Sequence, residues 1–202
     1  MTELERRLRS PESEKLDRNR LDAALGRRAA DAGLLDVAYA ETDSPLGRLT
    51  VFVTPRGLLR VAYEDEPIDS LLADVAARVS PRILRAPART DEARRELDAY
   101  FAGQRRAFDL SVDWSLVRGF AAEVLRQTAR IPFGAVRSYA EVAASAGSPR
   151  AYRAAGNALG SNPIPIVVPC HRVLHADGGL GGYSGGLDRK RFLLTLEGAR
   201  LP

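Results

Sequence analysis

From residue 36 onward, apolar and polar residues alternate in three short runs, a pattern that predicts strands at Val37–Thr42, Arg48–Thr54 and Leu58–Glu64. The turn-forming runs Ser44-Pro45-Leu46-Gly47 and Pro55-Arg56-Gly57 separate them. A helical period then covers 67–79, followed by a short strand near 82–86. Thr90 stands where it would cap a helix running through Leu97 to Phe101. Residues 35–113 therefore read as a small α+β domain, and no polar constellation in them suggests chemistry.

Beyond Trp114 the pattern becomes mainly helical. Residues 115–129 place Phe120, Val124 and Leu125 on one face of an amphipathic helix. Ser138 opens a short helix, Tyr139–Ala146, which stops at Gly147-Ser148-Pro149. A second is expected from Pro149 or Arg150 to about Leu159, and two short helices across a glycine-containing turn form a helix-turn-helix pattern. Ahead of both parts, residues 1–34 set Leu4, Leu8, Leu16, Leu21 and Leu25 among eight basic and seven acidic residues. They read as an extension that is helical or partly disordered, with a solvated helix near 12–32 after Pro11.

Composition narrows the picture. The 202 residues carry one cysteine, so no internal disulfide forms and a reducing compartment is expected. No apolar run approaches the about 18 residues of a membrane span, and the N-terminus has no apolar leader, so a cytoplasmic protein without membrane contact is expected. The net charge of +4 is unevenly spread. From Trp114 onward there are eleven basic and five acidic residues; before it, nineteen and twenty-one. The positive excess lies where a polyanion would meet the helix-turn-helix pattern.

One segment stands apart, Asn162-Pro163-Ile164-Pro165-Ile166-Val167-Val168-Pro169-Cys170-His171-Arg172-Val173. Its prolines oppose helix, and its β-branched residues favour an extended, buried strand that delivers Cys170 to a polar boundary. Taken alone, a single cysteine is usually an inert small hydrophobe and a neighbouring histidine usually structural.

The wider pattern changes that balance. Pro169-Cys170-His171-Arg172-Val173 resembles the active-site motif of the O6-alkylguanine-DNA alkyltransferases. The resemblance continues through Asn162, Arg153 and Ser138-Tyr139, and downstream through Gly182-Tyr183-Ser184-Gly185-Gly186 to Glu197-Gly198. It covers about residues 114–199 with the spacing retained. It implies an α+β protein: an RNase-H-like N-terminal domain, then a helical domain (114–202) with a winged-helix-like helix-turn-helix and the cysteine. It also implies direct-reversal repair, in which an alkyl group moves from guanine O6 to Cys170 and inactivates the protein after one turnover. A soft nucleophile suits that transfer, and its strength depends on a base that helps remove the thiol proton.

By the same resemblance His171 is the base, acting through a water, Glu197 orients it, and Asn162 holds the turn. Arg153, Tyr139, Ala151, Tyr152 and Gly156 are implied at the DNA, with Arg153 filling the stack after the base rotates out through the minor groove. Tyr139, Val173, Tyr183 and Ser184 are implied around the flipped base. The partner is expected to be duplex DNA carrying O6-alkylguanine, with O4-alkylthymine a further candidate. A monomer is expected, with nucleoid association when it acts on DNA; cooperative assembly on DNA is left open by the sequence. No cofactor is expected, and no metal either, because His171 and His175 are the only histidines and cannot build the zinc site some members carry near the N-terminus. Tyr152 departs from the family's small residue, Gly160 from a frequent basic one and Asn157 from a common glycine.

Overall fold

The computed structural model describes residues 21–22, 24–29 and 31–199. Most of the helix expected near 12–32 lies outside them; residues 24–29 are helical. Four strands form the sheet: β1 (Val37–Thr42), β2 (Leu49–Thr54), β3 (Gly57–Tyr63) and β4 (Ile83–Arg85). Their order is β3-β2-β1-β4, antiparallel except for the parallel β1–β4 pair. Glu64 was expected in β3 but leaves the ladder, and its carboxylate accepts the Arg48 N–H at 3.0 Å.

The register of β2 on β3 jumps between Phe52 and Val53, a bulge that leaves Leu59 without a ladder partner. Leu58, Val61 and Tyr63 consequently join one core, while Phe52, Leu59 and Ala62 join the other. Helix α1 (Ile68–Arg78) buries Leu71 and Val75 in the second core. Helix α2 (Pro87–Phe101) packs on β1 and β2 from the opposite side through Leu97 and Tyr100. It starts earlier than expected, because Pro87 occupies its first turn, where a missing N–H costs nothing. Thr90 is therefore no cap: it is buried inside the helix and donates to the Pro87 carbonyl at 2.9 Å.

β3 is an edge strand, yet its outer edge is covered. Leu58 N–H bonds to the Ser111 carbonyl at 2.8 Å, Asp113 N–H to the Leu58 carbonyl at 2.9 Å, and Val61 N–H to the Pro163 carbonyl at 2.9 Å. The last of these ties the sheet to the cysteine-bearing segment.

The helical part begins with a 3-10 turn at Trp114–Leu116 capped by the Asp113 carboxylate. Val117 and Arg118 are extended, so α3 (Gly119–Ala129) starts later than the expected residue 115. Strand β5 (Arg137–Ser138) leads into α4 (Tyr139–Ser145), whose start is closed by a reciprocal capping box between Ser138 and Glu141. Helix α5 (Tyr152–Gly160) begins after the expected Pro149 or Arg150, since Ala151 N–H closes a turn on the Ser148 carbonyl at 2.9 Å. Strand β6 (Val173–Leu174) pairs in parallel with β5, and α6 (Leu187–Leu196) follows. One buried cluster runs without interruption from Leu49, Val51 and Tyr100 to Val124, Leu159 and Val168. Among the described residues no helix is long and apolar enough to cross a membrane.

Candidate active site

The segment expected to be extended is buried but turned. Val167 N–H bonds to the Pro165 carbonyl at 2.9 Å, Val168 N–H to Ile164 at 2.9 Å, and Cys170–Arg172 form a 3-10 turn. Ile166 sits at φ 74°, a costly conformation for a β-branched residue. The Asn162 side chain holds this arrangement. Its Oδ1 accepts from Ile164 N–H at 3.0 Å, while Nδ2 donates to the Val168 carbonyl at 2.8 Å and to Cys170 Sγ at 3.1 Å. An extended strand needs a partner strand for its peptide groups; here the segment's own carbonyls and one amide side chain serve instead.

Cys170 lines a cavity of about 440 Å³ together with Tyr139, Arg153, Gly156, Tyr183 and Ser184. Arg153 and Tyr152 lie exposed at its rim on α5, with the Arg153 guanidinium 5.7 Å from the Tyr152 ring centroid. The parallel β5–β6 pair brings the start of α4 beside the exit of the cysteine turn, so Tyr139 and His175 pack at 5.2 Å between ring centroids. Ala151 and Val173 are not among the lining residues: Ala151 precedes α5, and Val173 is fully buried. Two larger cavities, of about 620 and 660 Å³, are lined by neither cysteine nor histidine.

Behind the cysteine lies a buried polar cluster. The Glu197 carboxylate accepts from His171 Nε2 at 2.9 Å, from Tyr100 Oη at 2.7 Å and from the Gly134 N–H at 3.3 Å. Arg172 grips both its oxygens, through Nε at 2.8 Å and Nη2 at 2.7 Å. Burial alone would raise the Glu197 carboxyl, but the hydrogen bonds from His171 and Arg172 outweigh it and bring it down to about 2. An ionised carboxylate only accepts, so the His171 proton sits on Nε2. Burial holds the imidazole below its ordinary range despite the Glu197 bond, so it is neutral and Nδ1 carries a free lone pair. That Nδ1 has no protein partner. Burial also pushes the Cys170 thiol up to about 11, against the hydrogen bond from Asn162 and the charge of Lys190. The resting sulfur thus carries its proton and needs a base.

Four contributors were missed by sequence reasoning. Tyr63 and Tyr100 gave no local signal, since each acts across about a hundred positions of chain. Arg172 stands in the cysteine motif, but the motif alone gives it no role. Lys190 had a signal: it is one of two lysines among thirty basic residues. It is fully buried, and its ammonium donates to the carbonyls of Val173 at 2.7 Å, Leu180, and Gly182 at 3.5 Å. Three divergent donors on a slim stem suit that task, and a planar guanidinium does not. Among the described residues no cluster is arranged to hold a metal ion.

Comparison with known proteins gives one consistent answer. Residues 37–114 match the model of the 6-O-methylguanine DNA methyltransferase ribonuclease-like domain, and residues 119–199 match the model of its DNA-binding domain. A methylated-DNA–protein-cysteine methyltransferase of Mycolicibacterium paratuberculosis is 41% identical over 168 residues, 82% of this chain and 95% of the relative. The constitutive enzyme of Bacillus subtilis is 38% identical over 155 residues, 73% of this chain and 93% of the relative. The structure of Mycobacterium tuberculosis OGT in complex with DNA is similar at a TM-score of 0.68 and 40% identity, covering 82% of this chain and 95% of that one.

Proposed function

The chain belongs to the 6-O-methylguanine DNA methyltransferase family, which repairs DNA by transferring an alkyl group to a cysteine, and we propose that here Cys170 takes it from O6-alkylguanine in duplex DNA. The observation that carries this reading is the position of Sγ. It lines a cavity bordered by the second helix of a helix-turn-helix, with a neutral His171 and an ionised Glu197 buried behind it.

The atoms balance as follows. The thiol proton leaves toward His171 Nδ1 through a bridging water, Sγ attacks the alkyl carbon, and an S–C bond forms as the C–O6 bond breaks. Its electron pair leaves with the purine, which takes up one proton to become guanine. The imidazolium formed in passing is stabilised by Glu197, as the second member of a base–orienter pair. A thioether is stable, and the chain has no second cysteine to accept the group, so each molecule repairs one lesion.

The target O6 belongs to a stacked, paired base that a buried sulfur cannot reach, so the nucleotide must rotate into the cavity. Arg153, exposed on α5 at the rim, suits the vacated space in the stack, and Tyr139 suits contact with the rotated nucleotide. The net charge of +6 over residues 114–202 supports sequence-independent contact with phosphates. Incubation with a duplex bearing O6-methylguanine should add one methyl to the peptide containing Cys170, read by intact-protein and peptide mass spectra. Turnover beyond one equivalent would contradict the single-use mechanism, and an unmodified Cys170 the whole reading. A parallel duplex bearing O4-methylthymine tests the second substrate.

A further inference from the structure

We propose that Tyr63, at the end of edge strand β3, is a positioning residue for alkyl transfer: its hydroxyl holds Tyr183, and with it the loop 182–186, over the cavity that contains Cys170. The inference rests on the function proposed above and adds the sheet to the machinery of the site.

The contact is specific. Tyr63 Oη and Tyr183 Oη lie 2.7 Å apart, and the two rings meet edge-on at 6.4 Å. Tyr183 lines the Cys170 cavity and Tyr63 does not, so Tyr63 acts only through its partner. Tyr63 is buried, and burial pushes its phenol well above the ordinary range, so the pair is a neutral hydroxyl–hydroxyl bond at all working pH values.

The loop is shaped to receive it. A Cβ on Gly185 would lie 2.5 Å from the Tyr63 ring and 2.8 Å from the Tyr183 ring, so only glycine admits this approach. Arg189 closes the other side: its guanidinium lies 4.3 Å from the Tyr63 ring centroid. It also donates to the carbonyls of Gly185 at 3.1 Å and Leu46 at 3.2 Å and pairs with Asp65 at 2.8 Å. Two positions before Tyr63, Val61 N–H holds the Pro163 carbonyl of the cysteine turn. One strand therefore fixes both the loop above the cavity and the turn that carries the nucleophile, and their separation governs how a base fits between them.

Single-turnover transfer from O6-methylguanine in duplex DNA, measured by rapid quench at saturating DNA, tests the idea on the full chain. Tyr63→Phe keeps the ring and removes the hydroxyl. It should slow the transfer step by about tenfold, the worth of one well-placed hydrogen bond, and leave affinity for unmodified duplex unchanged. Reaction with the free base O6-benzylguanine should slow by the same factor, since the loop acts on the base and not on the duplex. Tyr183→Phe should match it, and the double variant should be no slower than the slower single one. Gly185→Ala, which forces the loop off the Tyr63 ring, should slow transfer independently and keeps the test valid if Tyr63→Phe fails to fold. Wild-type rates in Tyr63→Phe and Gly185→Ala, or single effects that multiply in the double variant, would overturn the inference alone. A wild-type chain whose Cys170 stays unmodified would overturn the functional reading, and this one with it.

Discussion

Glu197 accepts five hydrogen bonds from four residues, and among the described residues no other side chain carries so much of the site. Removing a carboxylate from water is costly, and here Arg172 and His171 offset that cost. The sign of the resulting pH dependence is fixed. The carboxyl titrates at an ordinary 4.5 when unfolded and at about 2 when folded. Its contribution is complete above the unfolded value and is lost as pH falls through that window, at about 3 kcal/mol in all. Urea unfolding between pH 6 and 2 should show this loss, and Glu197→Gln should flatten it while lowering stability at neutral pH. The variant should also slow alkyl transfer, because an amide no longer fixes the Nε2–H tautomer of His171 as firmly.

At the scale of elements, α5 and the glycine-rich loop divide the work. If Arg153 on α5 acts by filling the stack, Arg153→Ala should slow repair in duplex DNA by about tenfold or more and leave reaction with free O6-benzylguanine nearly unchanged. Equal losses on both substrates would remove the stacking role. Gly181 lies at φ 66°, and a Cβ there would meet the Tyr139 hydroxyl at 2.5 Å. Gly181→Ala should therefore cost about 1 kcal/mol in backbone strain and displace Tyr139, slowing transfer from duplex.

The elements also show what could be read from the chain. β1 follows the period-two pattern to the residue, and the start of β2 and the end of β3 each draw in by one because a side chain, Glu64, competes for a ladder partner. The cysteine segment is a turn and not the expected strand: its β-branched residues signal burial correctly, but its peptide groups bond to carbonyls within the segment and to the Asn162 side chain, which periodicity does not record. Spacing pointed to Glu197 because it lies within the same continuous pattern as Cys170. Tyr63 and Tyr100 reach the site only through folding, from strands and helices that carry no chemical motif.

For the whole molecule, the continuous core matters most. Leu49, Leu97 and Tyr100 from the sheet part share one cluster with Val124, Leu159 and Val168 from the helical part. Neither part can lose its packing without exposing the other's apolar surface. Thermal unfolding should accordingly be a single transition, with the calorimetric enthalpy equal to the van't Hoff value. Two resolved transitions would show that the halves unfold separately.

The outer edge of β3, occupied by Ser111, Asp113 and Pro163, has a consequence for how molecules behave in a crowd. An open edge strand offers its peptide groups to a neighbour's strand and invites aggregation. Here the cysteine turn itself supplies part of the cover. A lesion-spent or mutated molecule whose turn loosens would uncover the strand at Val61, so loss of repair and the onset of clumping would share one trigger.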